Sequence, residues 1–210
     1  GRDVLRMGAA PPSRTPPLII ADPAFGAFSA PPAPVSAAAA SQPRSRELGS
    51  VTFDPLPGTA AEAAAIRPTL AGASLLTGDA ATESALKAAR GPKLLHLATH
   101  GYFLESDQRG PNAGLVADDA MLRSGLVLAG VNAQRSGDDD GVLTALEAAR
   151  LDLAGTQLVV LSACDTGLGE VQNGEGVFGL RRAFVVAGAQ TLVMSLWEVE
   201  DDATKRLMVD

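Results

Sequence analysis

The sequence predicts an α/β fold, a mainly parallel sheet with helices on both faces, and two observations carry that prediction. From Leu56 onward, strand-like and helix-like segments alternate along the chain, the pattern of parallel strands joined by crossover helices. The runs "KLLHLAT" and "TQLVVLSA" are apolar at successive rather than alternate positions, as strands covered on both faces are.

The elements follow in order. "PPLIIADPAFG" reads as a first strand ending in a turn. "TAAEAAAIRPTLAG" is alanine-rich and helical, and Pro68 near its end breaks or kinks it. "ASLLTG" is a short strand. "TESALKAAR" is a helix that Thr82 caps, with Glu83 favourable near its positive end. "KLLHLAT" is the next strand. Between Leu104 and Asp140 the alternation lapses, and there "GLVLAG" reads as an added hairpin strand flanked by polar turns. "GVLTALEAARLDLAG" carries a capping box, Thr144 with Glu147. "TQLVVLSA" is the most strand-like run, "VFGLRRAFVVAGA" a helix closed by Gly188, and "QTLVMSLWEV" a last strand.

Residues 1–16 are expected to be a flexible lead-in, with one domain over 17–210. Inside it, 29–50 is expected to be a disordered loop. Eleven of the 14 prolines fall between Pro11 and Pro57, and the Pro, Ala and Ser of this stretch offer almost nothing to bury. The chain opens at Gly1 without a methionine and stops at Asp210 within a helix-like run, so it is expected to be a piece of a longer protein, truncated at both ends.

Composition narrows the function. A hydrophobic content of 46% supports a sizeable core, and a net charge of -7 argues against a nucleic-acid or anionic-membrane partner. One cysteine excludes an internal disulfide. No apolar run is long enough to span a bilayer and no export signal is visible at the start, which leans the reading toward the cytoplasm.

The two histidines, His96 and His100, lie four residues apart, and His100 stands where an apolar run meets Gly101. Cys164 stands at the matching point of "TQLVVLSACDTGLGE". If these are neighbouring parallel strands, about 5 Å apart, the two residues share one crevice beyond the strand ends, where ligands of open sheets bind. An imidazole there can take the thiol proton, and the N–H groups of Gly101 and Cys164 can hold an oxyanion. A cysteine at a strand end is also a common small buried residue, and spacing alone does not separate the two readings. His96, between leucines, reads as a hydrogen-bonded core residue. "HLATH" offers two metal ligands without spacing for more, so no metal is expected. "GLGEVQNGEGVFG" lacks the lysine of a phosphate loop and carries Glu170 and Glu175, so it reads as a shaped loop beside the cysteine.

Taken together, "LLHLATHGYF", "LVVLSACDTGLGE" and "GEGVFGLRRAFVVAGAQTLVMSLWEVEDDAT" closely resemble the CHAT domain, a bacterial family named for its association with caspase-like peptidases and tetratricopeptide repeats. The similarity runs from about Leu18 to the end and includes "ADPAFG" and "LPGTAAEAAAI". It implies a caspase-like three-layer sandwich and a cysteine endopeptidase acting on protein or peptide substrates without a cofactor. Cys164 would be nucleophile, His100 base, and the Gly101 and Cys164 N–H groups the oxyanion hole. "WEVED" is similar to a run in separases, which implies that Asp201, with Trp197 in the wall, lines the substrate pocket and favours arginine before the cut; Asp201 equally reads as the cap of a helix beginning near Asp202, and Asp165 is a further substrate-binding candidate. Relatives carry tetratricopeptide or other regulatory modules; no period of about 34 residues appears in this chain. The alternative function is an interaction domain that keeps the fold and cleaves nothing.

Overall fold

The computed structural model describes residues 11–26, 51–104, 121–133, 140–165 and 175–194. Among these, β1 (Leu18–Pro23), β2 (Ser74–Gly78), β3 (Leu94–Phe103), β6 (Leu158–Asp165) and β7 (Thr191–Met194) form a parallel sheet in the order β2-β1-β3-β6-β7. Two short strands, β4 (Ser124–Val127) and β5 (Val142–Thr144), add an antiparallel flank. The helices are α1 (Pro57–Ile66), α2 (Glu83–Lys87), α3 (Ala145–Ala148) and α4 (Glu175–Val186). The architecture is the mixed α/β sandwich the segment pattern predicts.

Central position explains the apolar runs. β3 pairs with β6 from Leu94 to Gly101, while its other edge takes β1 at Leu95–Ala98 and β4 at Gly101–Phe103. Gly101 therefore sits in two ladders at once. One sheet face buries Ile20, Leu95, Leu97, Val159 and Leu161 in the main core, which also holds Leu86, Leu128, Leu143, Leu153 and Phe184. The opposite face, with Ile19, Ala21 and Ala98, is small and packs on Ala63 of α1.

Several expectations meet their physical cause. Pro68 ends α1 in a 3-10 turn, Arg67–Thr69. The Thr82 hydroxyl accepts from the Ala85 N–H, and Thr144 with Glu147 forms the full capping box. Gly188, at φ +110, closes α4 where a Cβ would lie 2.9 Å from the Ala154 nitrogen. Three expectations need revision. β3 runs three residues past His100 because the hairpin pairs with it there. The segment read only as a capped helix opens with a short strand, β5 (Val142–Thr144), and its helix is confined to Ala145–Ala148. Residues 11–16, expected to be flexible, are tied down: the Arg14 N–H donates to the Gly91 carbonyl, Arg14 pairs with Asp152, and the Lys93 N–H donates to the Thr15 carbonyl. The loop expected at 29–50 lies outside the described residues.

An acidic group lies buried beside the hairpin. Glu83 is 1% exposed, and Lys87 bridges it to Glu147 of α3. Burial pushes the Glu83 carboxyl up to about 7 against the pull of Lys87, with Glu147 and Asp140 adding to the rise. Burial acts the same way on Glu147, but its hydrogen bonds with Thr144 and the pull of Lys87 hold it below the usual range. A carboxyl raised on folding stabilises most below its unfolded value, near 4.5, and that contribution fades as pH rises through about 7. Glu83→Gln is therefore expected to raise the melting temperature at pH 8 relative to the parent, with little difference at pH 4.5. Paired thermal melts across that range check it. A difference independent of pH is the contrary result.

Candidate active site

The parallel register of β3 and β6 makes His100 and Cys164 Cα partners, and Gly101 and Asp165 the next pair. The two residues singled out by their strand-end positions are thus opposite one another on the central pair of strands. Cys164 is the penultimate residue of β6, beyond which lie the undescribed residues 166–174.

His100 is 8% exposed and held on three sides. Its ring lies 5.2 Å from Phe25 and 5.7 Å from Phe53, centroid to centroid, both tilted. Its Nε2 lies 2.8 Å from the main-chain oxygen of Asp54. A carbonyl only accepts, so Nε2 carries the proton and, in the neutral ring, the lone pair stands on Nδ1. The imidazole is thereby fixed in tautomer and plane. That is the form a general base requires.

The supports come from loops at the carboxyl ends of strands. Phe25 follows β1, and Phe53 and Asp54 precede α1. Pro55 and Pro57 restrict the backbone between Asp54 and the helix. The Thr59 hydroxyl donates to the Leu56 carbonyl at 2.7 Å and accepts from the Asp22 N–H at 3.0 Å. Asp22, at φ +48, is the one non-glycine residue with positive φ among the described residues. Burial raises its carboxyl above the usual carboxylate range.

Deeper in the same sheet face lies a closed polar network. Glu62 of α1, 1% exposed, has Oε1 2.6 Å from His96 Nε2, and its Oε2 accepts from the Ser162 hydroxyl at 2.9 Å. His96 precedes His100 by four positions on β3, and Ser162 precedes Cys164 by two on β6. One carboxylate thus joins α1 to both strands that carry the site. His96 is a hydrogen-bonded core residue, as its leucine neighbours suggest.

Gly101 is buried within the sheet, paired with Leu126 on one side and Asp165 on the other. Trp197 and Asp201 lie outside the described residues. Among the described residues no group of three or more His, Cys, Asp or Glu side chains is arranged to hold a metal ion, and no helix is long and apolar enough to cross a membrane.

Sequence reasoning missed Phe25, Phe53, Asp54 and Glu62. A signal was present for the two phenylalanines. The chain has only six phenylalanines, and two stand in "DPAFG" and "TFDPLPG", beside Asp-Pro turns rather than inside strands. An aromatic ring in a turn must find burial against something. For Glu62, the alanine-rich composition of α1 hid the fact that Gly58, Thr59, Glu62 and Ala63 form its buried face. The CHAT domain family model matches residues 1–210, the whole chain. Among curated proteins, none matches.

Proposed function

Because the chain belongs to the CHAT domain family, whose members are caspase-like and related to cysteine peptidases, we propose that it is a cysteine endopeptidase acting through Cys164 and His100. The observation that carries the reading is the register of β3 and β6, which pairs His100 with Cys164 while Asp54 fixes the imidazole tautomer. In this mechanism the Nδ1 lone pair takes the Cys164 thiol proton, and the thiolate attacks the scissile carbonyl. The oxyanion is held by main-chain N–H groups at Gly101 and Cys164. The imidazolium returns its proton to the leaving amine, and water then hydrolyses the thioester with His100 again as base.

The apolar walls Phe25 and Phe53 shield this proton transfer from water, which strengthens the electrostatic interactions inside. On the substrate side, Asp201, Trp197 and Asp165 form the pocket for the residue before the cut, and a carboxylate there favours arginine. A tetratricopeptide or other regulatory module is the partner this reading calls for.

The test is covalent labelling of Cys164 by an electrophilic peptide ending in arginine. Labelling by the parent at pH 7 is expected to exceed that of His100→Ala by about 100-fold or more, the low end of what a positioned base contributes. Equal labelling of the two, in proteins with matched circular dichroism, sinks the dyad and leaves the interaction-domain reading.

A further inference from the structure

The geometry points to Asn132 as a positioning residue of the site, one that fixes the orientation and tautomer of His100 through the two chain segments that enclose it. In its functional part this rests on the histidine–cysteine reading above. The structural part stands independently.

Asn132 lies on a 3-10 turn, Val131–Ala133, that follows the strand β4, and it is 4% exposed. Its carboxamide grips the backbone of one residue by both its groups: Oδ1 accepts from the Phe53 N–H at 2.9 Å, and Nδ2 donates to the Phe53 carbonyl at 2.9 Å. The second Nδ2 hydrogen goes to the Gly26 carbonyl at 3.0 Å. Its own main-chain N–H donates to the Phe25 carbonyl at 2.9 Å. Both side-chain donors and the acceptor are used.

The segments so gripped are those that hold His100. Phe25 and Phe53 supply the two rings against the imidazole, and Asp54, the residue after Phe53, supplies the carbonyl that takes the Nε2 proton. Phe25 and Phe53 belong to distant parts of the chain, and their rings stand 6.4 Å apart. Asn132 bonds to both segments, and the turn that carries it grows from the hairpin paired with β3 just past His100. Any drift of Asn132 therefore shifts the Asp54 carbonyl and both rings together.

Only a carboxamide satisfies this pattern. An aspartate of the same shape has no donor and would turn a second oxygen on the Phe53 and Gly26 carbonyls. A glutamine is one methylene too long for a 4%-exposed site.

The experiment reads the His100 ring directly, which is practical in a chain with two histidines. In the 15N-labelled full chain, imidazole nitrogen shifts report the tautomer, and proton exchange reports the opening of Nε2–H and of the Asn132 amide. In the parent, His100 is expected in the Nε2–H form, with its Nε2–H and the Asn132 amide protons exchanging in one event, at rates within about twofold. Asn132→Ala is expected to speed Nε2–H exchange by at least about tenfold and to mix the tautomers, with Asn132→Asp more severe. The control is Val142→Ala, which removes methyl groups from the same Phe25–Phe53 cluster and is expected to lower the melting temperature without altering the ring.

Asn132→Ala with a parental tautomer and exchange rate overturns the proposal. So does a parent in which the Asn132 amide exchanges freely while Nε2–H stays protected, a measurement that decides the matter if no Asn132 variant folds. Cys164 labelling at pH 7 should fall in Asn132→Ala and not in Val142→Ala. An inert Cys164 in the parent rejects the peptidase reading instead, and leaves the ring measurements as they are.

Discussion

Glu62→Ala is expected to lower stability by on the order of 3–5 kcal/mol, the usual cost of removing one member of a buried charged or hydrogen-bonded set. For a chain of this size that is a fall in melting temperature of about 10–15 °C. The cause is not lost volume but stranded partners. His96 and Ser162, 3% and 5% exposed, would keep their polar atoms in a closed interface without Glu62, and a buried unsatisfied group costs about 1–3 kcal/mol. α1 would also lose its hydrogen-bonded link to the two central strands. Glu62→Gln retains the shape and a donor–acceptor match to both partners, so its loss should be less than half as large. Replacing all three groups together, Glu62→Leu with His96→Leu and Ser162→Ala, should recover much of the stability, because nothing polar is then stranded. Denaturant unfolding of the four proteins separates these outcomes. An Ala variant within about 1 kcal/mol of the parent would mean that water reaches the network.

Gly125→Ala is the second large effect, about 3 kcal/mol of overpacking. A Cβ at this position would lie 2.3 Å from the Leu143 carbonyl oxygen and 2.7 Å from both Cε1 and Oη of Tyr102, which is fully buried. The clash with Tyr102 alone could be relieved by trimming that ring. The carbonyl belongs to the paired strand β5 and cannot move without opening the ladder. Tyr102→Leu is therefore expected not to rescue Gly125→Ala. Amide exchange should show β4 and β5 losing protection first, while β6 and β7 keep theirs. Rescue by the smaller side chain would show that the ring, not the ladder, is the obstacle.

These two residues mark the boundary of what sequence discloses. β1, β3 and β6 were legible because burial on both faces demands unbroken apolar runs. β2 and β7, the partly exposed strands at the ends of the parallel set, were legible as short apolar runs between turn residues, and α2 and α3 because their caps are written in Thr82 and Thr144 with Glu147. The pairing of His100 with Cys164 was legible as well, since both stand at matching points of adjacent runs. β5 was not, because Val142–Thr144 is three residues long and runs straight into a capping box whose signal is stronger. Asp54 acts through its main-chain oxygen, which no side-chain pattern encodes. Asn132 was invisible for a related reason: it grips the backbone at Gly26 and Phe53, and a carboxamide among turn residues reads as an ordinary turn former. Glu62 reads as a helix-favouring surface residue until the sheet supplies its two partners.

The order in which this chain is made bears on when its candidate site is assembled. The β3–β6 register joins Leu94 to Leu158 and His100 to Cys164, contacts between segments far apart in the chain that form slowly because a long loop must close first. A growing chain emerges from its N-terminal side, so β1, β2, β3 and the hairpin are available before β6 has been synthesised. During that interval His100 can already sit against Phe25 and Phe53 while the strand opposite it does not yet exist. Cys164 arrives with β6, and only the docking of β6 into the waiting edge of β3 brings it into register with His100. On the peptidase reading proposed above, an unfinished chain would thereby be kept from cutting itself or the machinery that makes it.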